Sequence, residues 1–227
     1  MDPLPPSILS EIQQFDTCTI ANAIEHFGVR LRNTGYTQPG LQCLTGGYPR
    51  VAGYAATCRV KTADPPMTGN AYVDRTDWWE AIGRLPAPRI AVIQDMERNA
   101  GGGSTLGQVH AAVLQAFQCC AAITNGSVRD LEGLAELKFP VFAHSVAVSH
   151  AYAHVVDFGQ PVEIFGLTVE AGDLLYADCH GVISVPQDIA AEAIETARRI
   201  QAHDRKIIDL CRSSDFTIEK LQAAIRE

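Results

Sequence analysis

The sequence lacks the marks of a membrane or secreted protein. None of its apolar runs approaches the ~20 residues that a membrane-spanning helix needs. Its start, MDPLPPSILSEI, is acidic and rich in proline, without the basic and then apolar segments of a secretory signal. These absences predict a cytoplasmic protein.

Positive charge is also scarce. The 227 residues include 18 lysines and arginines against 26 aspartates and glutamates, a net charge of -8. Proteins that wrap nucleic acid or bind anionic lipid are normally basic. We therefore expect neither a nucleic acid nor a membrane as a partner.

Paired metal-binding cysteines are missing as well. The chain has seven cysteines, an odd number, and no Cys-x-x-Cys pair. This argues against a disulfide framework and against a structural zinc site. We expect reduced thiols that are mostly buried. They are Cys18, Cys43, Cys58, Cys119, Cys120, Cys179 and Cys211.

The middle of the chain carries a strand–helix–strand pattern. Hydrophobic residues make up 47% of the sequence and charged residues 19%, which predicts a sizeable core. RIAVIQD (89–95) and CAAIT (120–124) are typical of buried strands, and LGQVHAAVLQAFQ (106–118) between them is typical of a helix. This order predicts an α/β fold with a parallel sheet. We expect the apolar face of the helix to be Val109, Ala112, Val113, Ala116 and Phe117.

Helices are predicted at both ends of the chain. Two short ones cover residues 7–15 and 19–28, and a long amphipathic helix covers 187–211, followed by a short one near 217–226. We expect one domain over residues 1–227.

A glycine-rich loop, NAGGGSTLGQ (99–108), leads into the central helix. Thr105 and Gln108 fit a capping box, with Thr105 as the N-cap. The free amides at a helix start can hold a carboxylate or a phosphate. An ordinary glycine-rich connection explains the spacing equally well. It is not a dinucleotide fingerprint, because Leu106 stands where the third glycine belongs.

Arg129 and Asp130 follow the second strand, in TNGSVRD. Adjacent side chains diverge on a helix or a strand, so we do not expect them to pair with each other. If the two strands are neighbours, the pair lies at the same rim as the glycine loop. There Arg129 can hold a carboxylate and Asp130 a hard cation, which suits a 2-oxo acid. An equally weighted alternative is that Asp130 caps the following LEGLAEL helix.

Four histidines are candidates for the pocket. His150 and His154 are four residues apart in SHAYAH, and we expect them on one side of a regular element. The spacing lacks the glutamate of a metalloprotease motif. His110 and His180 are the other two, and we expect one of the four to line the pocket.

Several stretches resemble one protein family. GQVHAAVLQAFQCCAAITNGSVRD, FPVFA and GLTVEAGDLLYADCHGVISVP, together with FDTCTIANAI, are similar to RraA-like proteins and 4-hydroxy-4-methyl-2-oxoglutarate aldolases. The likeness covers roughly residues 15–200.

The resemblance implies a β/β/α swivelling-type fold with flanking N- and C-terminal helices, and trimers or hexamers with sites at subunit contacts. It implies a metal-dependent pyruvate aldolase with oxaloacetate decarboxylase side activity, in which cleavage of a C–C bond gives a stabilised enolate. Asp130 would hold the cation, Mg²⁺ or Mn²⁺, and Arg129 the 2-oxo acid substrate. The substrate carboxylate would bind the backbone of Gly107, Gln108, Val109 and His110.

The sequence departs from the family pattern at three positions, one of which is His110, where the family usually has an aliphatic residue. The aldolases carry an acid 21 residues before the arginine, where this chain has Gln108, which cannot transfer protons at neutral pH. A second carboxyl, three residues after the aspartate, is Gly133 here. Either another group transfers the proton (His110, Glu132 or a pocket histidine), or the aldolase reaction is weak or absent. The alternative function is that of RraA-like proteins that inhibit a ribonuclease by protein contacts and need no cation.

Overall fold

The computed structural model describes residues 3–47, 49–67 and 76–226. The helices are α1 (Pro6–Ile12), α2 (Thr17–Glu25), α3 (Thr76–Arg84), α4 (Gln108–Ala116), α5 (Leu131–Glu136), α6 (Ala190–Cys211) and α7 (Ile218–Arg226). The strands are β1 (Gln42–Cys43), β2 (Val51–Lys61), β3 (Arg89–Asp95), β4 (Ser104–Leu106), β5 (Cys119–Thr124), β6 (Ser127–Val128), β7 (Val141–Ala143), β8 (Ser145–Val146), β9 (His154–Phe158), β10 (Val162–Ile164), β11 (Leu167–Val169), β12 (Leu174–Asp178) and β13 (Gly181–Ser184).

The large sheet has the order β1-β7-β5-β3-β2-β12-β13, and β9 also pairs with β2. Its centre is parallel, since β2, β3, β5 and β7 run in one direction, and β1, β12 and β9 are antiparallel to their partners. The predicted parallel pairing of RIAVIQD with CAAIT is confirmed, and Ile93 lies opposite Thr124. The fold is mixed α/β with helices at both ends, as predicted, and its sheet is nearly closed and barrel-like.

A small parallel sheet, β4-β6-β8, stands beside the large one. Each of its strands follows a strand of the large sheet along the chain, because β3 leads to β4, β5 to β6 and β7 to β8. Ser104, Ser127 and Ser145 lie side by side in it. The chain thus leaves the large sheet at three neighbouring points and brings three connections to one edge.

Helices cover the outside of the sheet in two groups. Apolar residues of α3, α4 and α5 pack on one part of it, with Trp78, Leu114 and Leu134 buried. The N-terminal helices and the start of α6 pack on another part, around Ile20 and Ile194. The predicted C-terminal helices are confirmed as α6 and α7, and three residues of 3-10 helix (Gln187–Ile189) precede α6.

Two expectations about the whole chain have definite outcomes. All seven cysteines are free, but Cys18, Cys179 and Cys211 are exposed, so the expectation of mostly buried thiols holds only in part. Cys58 and Cys119 are buried in the core. Among the described helices, none is both long and apolar enough to cross a membrane.

Candidate functional site

Gly107 and the pair Arg129–Asp130 meet at the end of the small sheet. Gly107 follows β4 and Arg129 follows β6, and these strands are neighbours. The Arg129 amide donates to the Leu106 carbonyl, with an N–O distance of 3.0 Å. The predicted shared rim therefore exists, although the small sheet forms it and not the large one. We call Gly107, Gln108, Arg129 and Asp130 the rim site.

Asp130 adopts a left-handed backbone conformation, with φ 58° and ψ 43°. This conformation turns its carboxylate away from its own helix, and no side-chain bond caps α5. Instead, Oδ2 accepts a hydrogen bond of 3.1 Å from the Gln108 amide at the start of α4. Asp130 occupies the N-cap position of α5 as the alternative prediction has it, but its side chain caps a different helix.

Arg129 and Asp130 do contact each other, so the expectation that they diverge is wrong. Arg129 Nε lies 3.6 Å from Asp130 Oδ2. The expectation assumes helical or extended backbone, and the left-handed conformation of Asp130 is neither. Both side chains stay about 40% exposed, at 36% and 42%, which leaves them accessible to a ligand.

The predicted capping box is wrong. Helix α4 begins at Gln108 with Gly107 as its N-cap, and Gly107 has no side chain to donate or accept. Thr105 lies in β4, where its hydroxyl donates to the Thr124 hydroxyl and to the Ser127 carbonyl. The capping carboxylate comes from Asp130, 22 residues away along the chain.

Gly107 allows the side chains of Arg129 and Asp130 to lie directly against the backbone of the rim site. A Cβ built at this position would overlap Asp130 Oδ2 and would lie 3.2 Å from both Cγ and Nε of Arg129. Because the backbone of Gly107 lies directly against both charged side chains, any larger residue must displace them.

Gln108 and Gly133, two of the departures from the family pattern, touch each other. A Cβ at Gly133 would overlap the Gln108 carboxamide and would lie 2.8 Å from Gln108 Cγ. The glutamine side chain therefore occupies the space over Gly133. One neutral side chain fills the place where the resemblance implies two carboxyl groups.

His110 lies under the rim site, in the core. Its side chain is buried, and its ring centre is 5.4 Å from that of Trp78 in an edge-on arrangement. Burial lowers the pKa of His110 to about 4, against a smaller opposing effect of a Thr105 backbone hydrogen bond. A ring in this position cannot exchange protons with a ligand at the rim, so His110 does not replace the missing acid.

The predicted apolar face of α4 is also wrong. His110, Ala111 and Leu114 are the buried residues of the helix, while Val109 is 80% exposed. Ala111 and Leu114 form a second apolar stripe, and hydrophobicity alone cannot choose between the two stripes when a histidine belongs to the buried one.

His150 and His154 do not share a face of a regular element. His150 precedes a turn, and β9 begins only at His154. Each Nδ1 approaches a nearby carbonyl, that of Ala151 at 2.8 Å and that of Tyr152 at 2.7 Å. The local turn explains their positions without any role in the rim site.

His180 lines a cavity of about 290 Å³ on another part of the fold. The walls come from α2, the segment 30–37 and β13, and they include Thr17, Arg30 and Tyr36. No residue of the rim site belongs to this cavity, so His180 lines a different pocket from the one in which the sequence predicts a histidine.

Asp95 and Asn125, which the sequence does not predict as site residues, position the glycine loop. Asp95 is buried at the end of β3, and its carboxylate accepts hydrogen bonds from the amides of Glu97 and Gly101. Burial raises the pKa of Asp95 in spite of these bonds. The Asn125 side chain binds the Asp95 amide at 2.7 Å and carbonyl at 2.9 Å. Two sequence features indicate these residues. Asp95 ends a strand just before a glycine-rich run, and Asn125 begins the Asn-Gly turn that follows the next strand.

Asp130 is the residue of the rim site that could hold a metal ion. Asp130 offers a half-exposed carboxylate with oxygen donors only, beside the backbone of Gly107. Mg²⁺ commonly binds through one or two carboxylates and keeps several waters for a substrate to replace. Asp130 would hold such an ion, and Arg129 stands next to it as a carboxylate partner.

Comparisons with known sequences and structures find one family and several similar proteins. A family model described as RraA-like, Aldolase/RraA, matches residues 17–184. An uncharacterised protein of Methanocaldococcus jannaschii is 35% identical over 86 residues, which are 37% of this chain and 41% of that protein. A putative 4-hydroxy-4-methyl-2-oxoglutarate aldolase of Halalkalibacterium halodurans is 23% identical over 111 residues, which are 48% of this chain and 50% of that protein. The matches thus span half or less of these curated relatives.

Among solved structures, Streptomyces coelicolor RraAS2 has a similar fold. It is described as an unusual member of the RNase ES inhibitor RraA protein family. The TM-score is 0.71 at 18% identity, and the alignment covers 90% of this chain and 97% of that one. At this identity the likeness concerns the fold.

Proposed function

The chain belongs to the RraA-like (Aldolase/RraA) family, and on that premise we propose that it is a divalent-metal-dependent lyase acting on a 2-oxo acid. The observation that carries the proposal is the convergence of Arg129 and Asp130 on the backbone of Gly107. A cation ligand and a carboxylate partner side by side suit the adjacent carboxylate and keto oxygens of such a substrate.

The chain's own residues would bind and orient the substrate. The Arg129 guanidinium would hold the substrate carboxylate, together with backbone amides of the first turn of α4, at Val109 and His110. Asp130 would hold Mg²⁺ or Mn²⁺, which supplies Lewis-acid stabilisation of the negative charge that develops as a C–C bond breaks. Gly107 would keep both groups close.

Gln108 makes decarboxylation the better supported reaction. Retro-aldol cleavage requires a base that removes the proton of the substrate hydroxyl, and a carboxamide cannot do this. Decarboxylation of oxaloacetate loses CO₂ without prior deprotonation, and the resulting enolate takes a proton from water. We therefore expect oxaloacetate to be the better of the two substrates implied by the resemblance.

A homo-oligomer, a trimer or a hexamer, is part of the proposal. Apolar side chains around the rim site are exposed in the single chain, with Val109 at 80%, Val146 at 55% and Val148 at 98%. A contact between subunits would remove them from water. Light scattering of the purified protein tests this: a monomer would contradict it.

The alternative is a protein-binding regulator of a ribonuclease. The neutral Gln108 favours this function, since it removes a proton-transfer group, and the net charge of -8 suits a partner with basic regions. Metal dependence separates the two functions, because a regulator that acts by protein contacts needs no cation at Asp130.

Pyruvate release is the test. We expect release from oxaloacetate with Mg²⁺ or Mn²⁺, its loss with EDTA, and slower release from 4-hydroxy-4-methyl-2-oxoglutarate. Arg129→Ala should lower the rate at least about 100-fold, since it removes a charged group at the reacting centre. Arg205→Ala is the control, because Arg205 is exposed on α6 and forms an ion pair with its helix neighbour Asp209, away from the rim site. Equal rates in Arg129→Ala and wild type would contradict the proposal.

A further inference from the structure

We propose a second metal site, for a borderline transition-metal ion such as Zn²⁺, at the turn between β12 and β13. Its three ligands are Asp178, Cys179 and His180, which follow one another in the chain. We call them the hairpin site. It does not depend on the proposed lyase function, and it differs from the Cys-x-x-Cys type of zinc site that the sequence lacks.

The donor atoms already have nearly the spacing that a metal ion needs. His180 Nδ1 lies 3.1 Å from Asp178 Oδ1 and 3.6 Å from Cys179 Sγ. One donor atom from each of the three residues lies within 4.8 Å of the other two. Metal bonds of ~2.0–2.3 Å in a tetrahedron place the ligands about 3.3–3.8 Å apart. Small side-chain rotations would therefore bring all three to one ion.

The position of Asp178 is fixed by the rest of the fold. Its side chain is only 3% exposed. Oδ2 accepts from the Thr17 amide at 2.8 Å, and Oδ1 accepts from the Thr17 hydroxyl at 2.7 Å and from the His180 amide at 2.9 Å. On metal binding, the contact between His180 Nδ1 and Asp178 would be replaced by a shared ion, while Thr17 keeps the carboxylate in place.

The turn itself is also held in place. Asp178 pairs with Gly181 across a two-residue turn, and Gly181 has φ 137°, which favours glycine. The Thr37 hydroxyl accepts from the Val182 amide at 3.1 Å and would lie 2.6 Å from a Cβ at Gly181. Because both sides of the turn are fixed, Cys179 and His180 need little reordering to bind an ion.

The ligand set selects the metal. Thiolate and imidazole prefer Zn²⁺ and other borderline ions, whereas the oxygen-only rim site prefers Mg²⁺ or Mn²⁺. Three protein ligands leave one tetrahedral position for water or a bound ligand. His180 lines the 290 Å³ cavity, whose wall also holds Arg30 and Cys18. Arg30 is a half-buried guanidinium, bound to the Ser184 carbonyl at 2.8 Å. The fourth position thus adjoins a cavity with Arg30 in its wall.

Cobalt titration tests the site directly. The whole protein, stripped with EDTA and kept in a phosphine reductant, is titrated with Co²⁺ alone. We expect one equivalent per chain to give a thiolate-to-cobalt absorption band in the near ultraviolet, which Zn²⁺ removes and excess Mg²⁺ does not. Cys179→Ser should abolish the band, and His180→Ala should weaken binding by about tenfold or more.

Two controls keep the test specific. Cys211→Ser removes another exposed thiol, at the end of α6, and should leave the band unchanged. Asp130→Asn should also leave it unchanged, which separates this site from the rim site. The proposal is overturned if the wild type gives no band, or if the band survives Cys179→Ser and disappears in Cys18→Ser or Cys211→Ser.

Discussion

Two aspartates in this protein do the same local task in different surroundings. Asp130 accepts from the first amide of α4, and Asp178 accepts from the first amide of α2. Each carboxylate therefore caps a helix that belongs to another part of the chain. Asp130 is 42% exposed and stands beside an arginine, whereas Asp178 is 3% exposed and bound by three hydrogen-bond donors, the Thr17 amide and hydroxyl and the His180 amide.

Exposure and the number of occupied acceptor positions separate the two roles. Buried Asp178 exchanges nearly all its water for protein donors, so its bonds contribute to the stability of the fold. Exposed Asp130 has one amide and one guanidinium close by and keeps room for a cation and a substrate. The same cap geometry thus holds both carboxylates in place. At Asp130 it leaves an exposed face for the cation that we propose, and at Asp178 it leaves only the side towards His180, where the proposed hairpin site would share the carboxylate.

Gly107→Ala should have the largest effect on the exposed side of this comparison. The new Cβ would overlap Asp130 Oδ2 and displace Arg129. We expect metal-dependent pyruvate release to fall about 100-fold, because small displacements of positioned groups are costly. Gly102→Ala is the matched control, since the nearest atom to a Cβ there is 4.0 Å away. Equal rates in the two variants would show that the close packing at Gly107 is irrelevant to activity.

Asn substitutions at the two aspartates compare their structural roles directly. Asp178→Asn replaces an acceptor by an NH₂ group that faces the donors of Thr17. We expect the free energy of unfolding in urea to fall by about 2–3 kcal/mol. Asp130→Asn should cost less than about 1 kcal/mol, because only an exposed cap is weakened and Asn tolerates the left-handed conformation. If the two variants lose similar amounts of unfolding free energy, the two aspartates do not differ in their contribution to stability.

His110, which is buried below the rim site, should make the stability of the protein depend on pH. Since the folded-state pKa of His110 is about 4 and the ordinary value is 6.5, the unfolded chain binds the proton more readily. Its contribution is fully present above pH 6.5 and is lost as the pH falls towards 4. We expect a loss of about 2 kcal/mol between pH 7 and pH 5.

His110→Leu checks this assignment. Urea unfolding at pH 7 and pH 5 should show a much smaller difference between the two pH values than in wild type. His26→Gln is the control, because His26 is exposed at the end of α2. If His110→Leu keeps the wild-type difference, another group causes it.

Gln108→Glu should produce the smallest effect, and it is a gain. A carboxylate over Gly133 places a base beside Asp130, so release of pyruvate from 4-hydroxy-4-methyl-2-oxoglutarate should rise by about tenfold. Oxaloacetate decarboxylation should change less, because it needs no base before the bond breaks. Gln108→Ala should give no gain; an equal rise in both variants would mean that the side chain only obstructs the site.

The regular strands and helices of the central sheet and the C-terminus can be predicted from the sequence. Strands β3 and β5, their parallel pairing and the long helix α6 follow from runs of apolar residues and from helical periodicity. The meeting of the glycine loop with Arg129 and Asp130 is expected from the same pairing, although strands β4 and β6 of the small sheet form it. The small sheet does not, because strands of two or three residues such as β4 and β6 give no periodic signal.

What the sequence does not reveal depends on contacts between distant residues. The cap of α4 comes from Asp130 only because that residue is left-handed, which local propensity does not predict. The buried face of α4 includes His110 because Trp78, on α3, packs against it. The contact of Gln108 with Gly133 is likewise invisible until α4 and α5 are placed together.

The most direct test of the rim site is the initial rate of Mn²⁺-dependent pyruvate release from oxaloacetate by Asp130→Asn. The account predicts a rate at least about 100-fold below wild type, with the urea midpoint almost unchanged. A wild-type rate that still depends on Mn²⁺ in this variant would contradict the assignment of Asp130 as the residue that holds the cation.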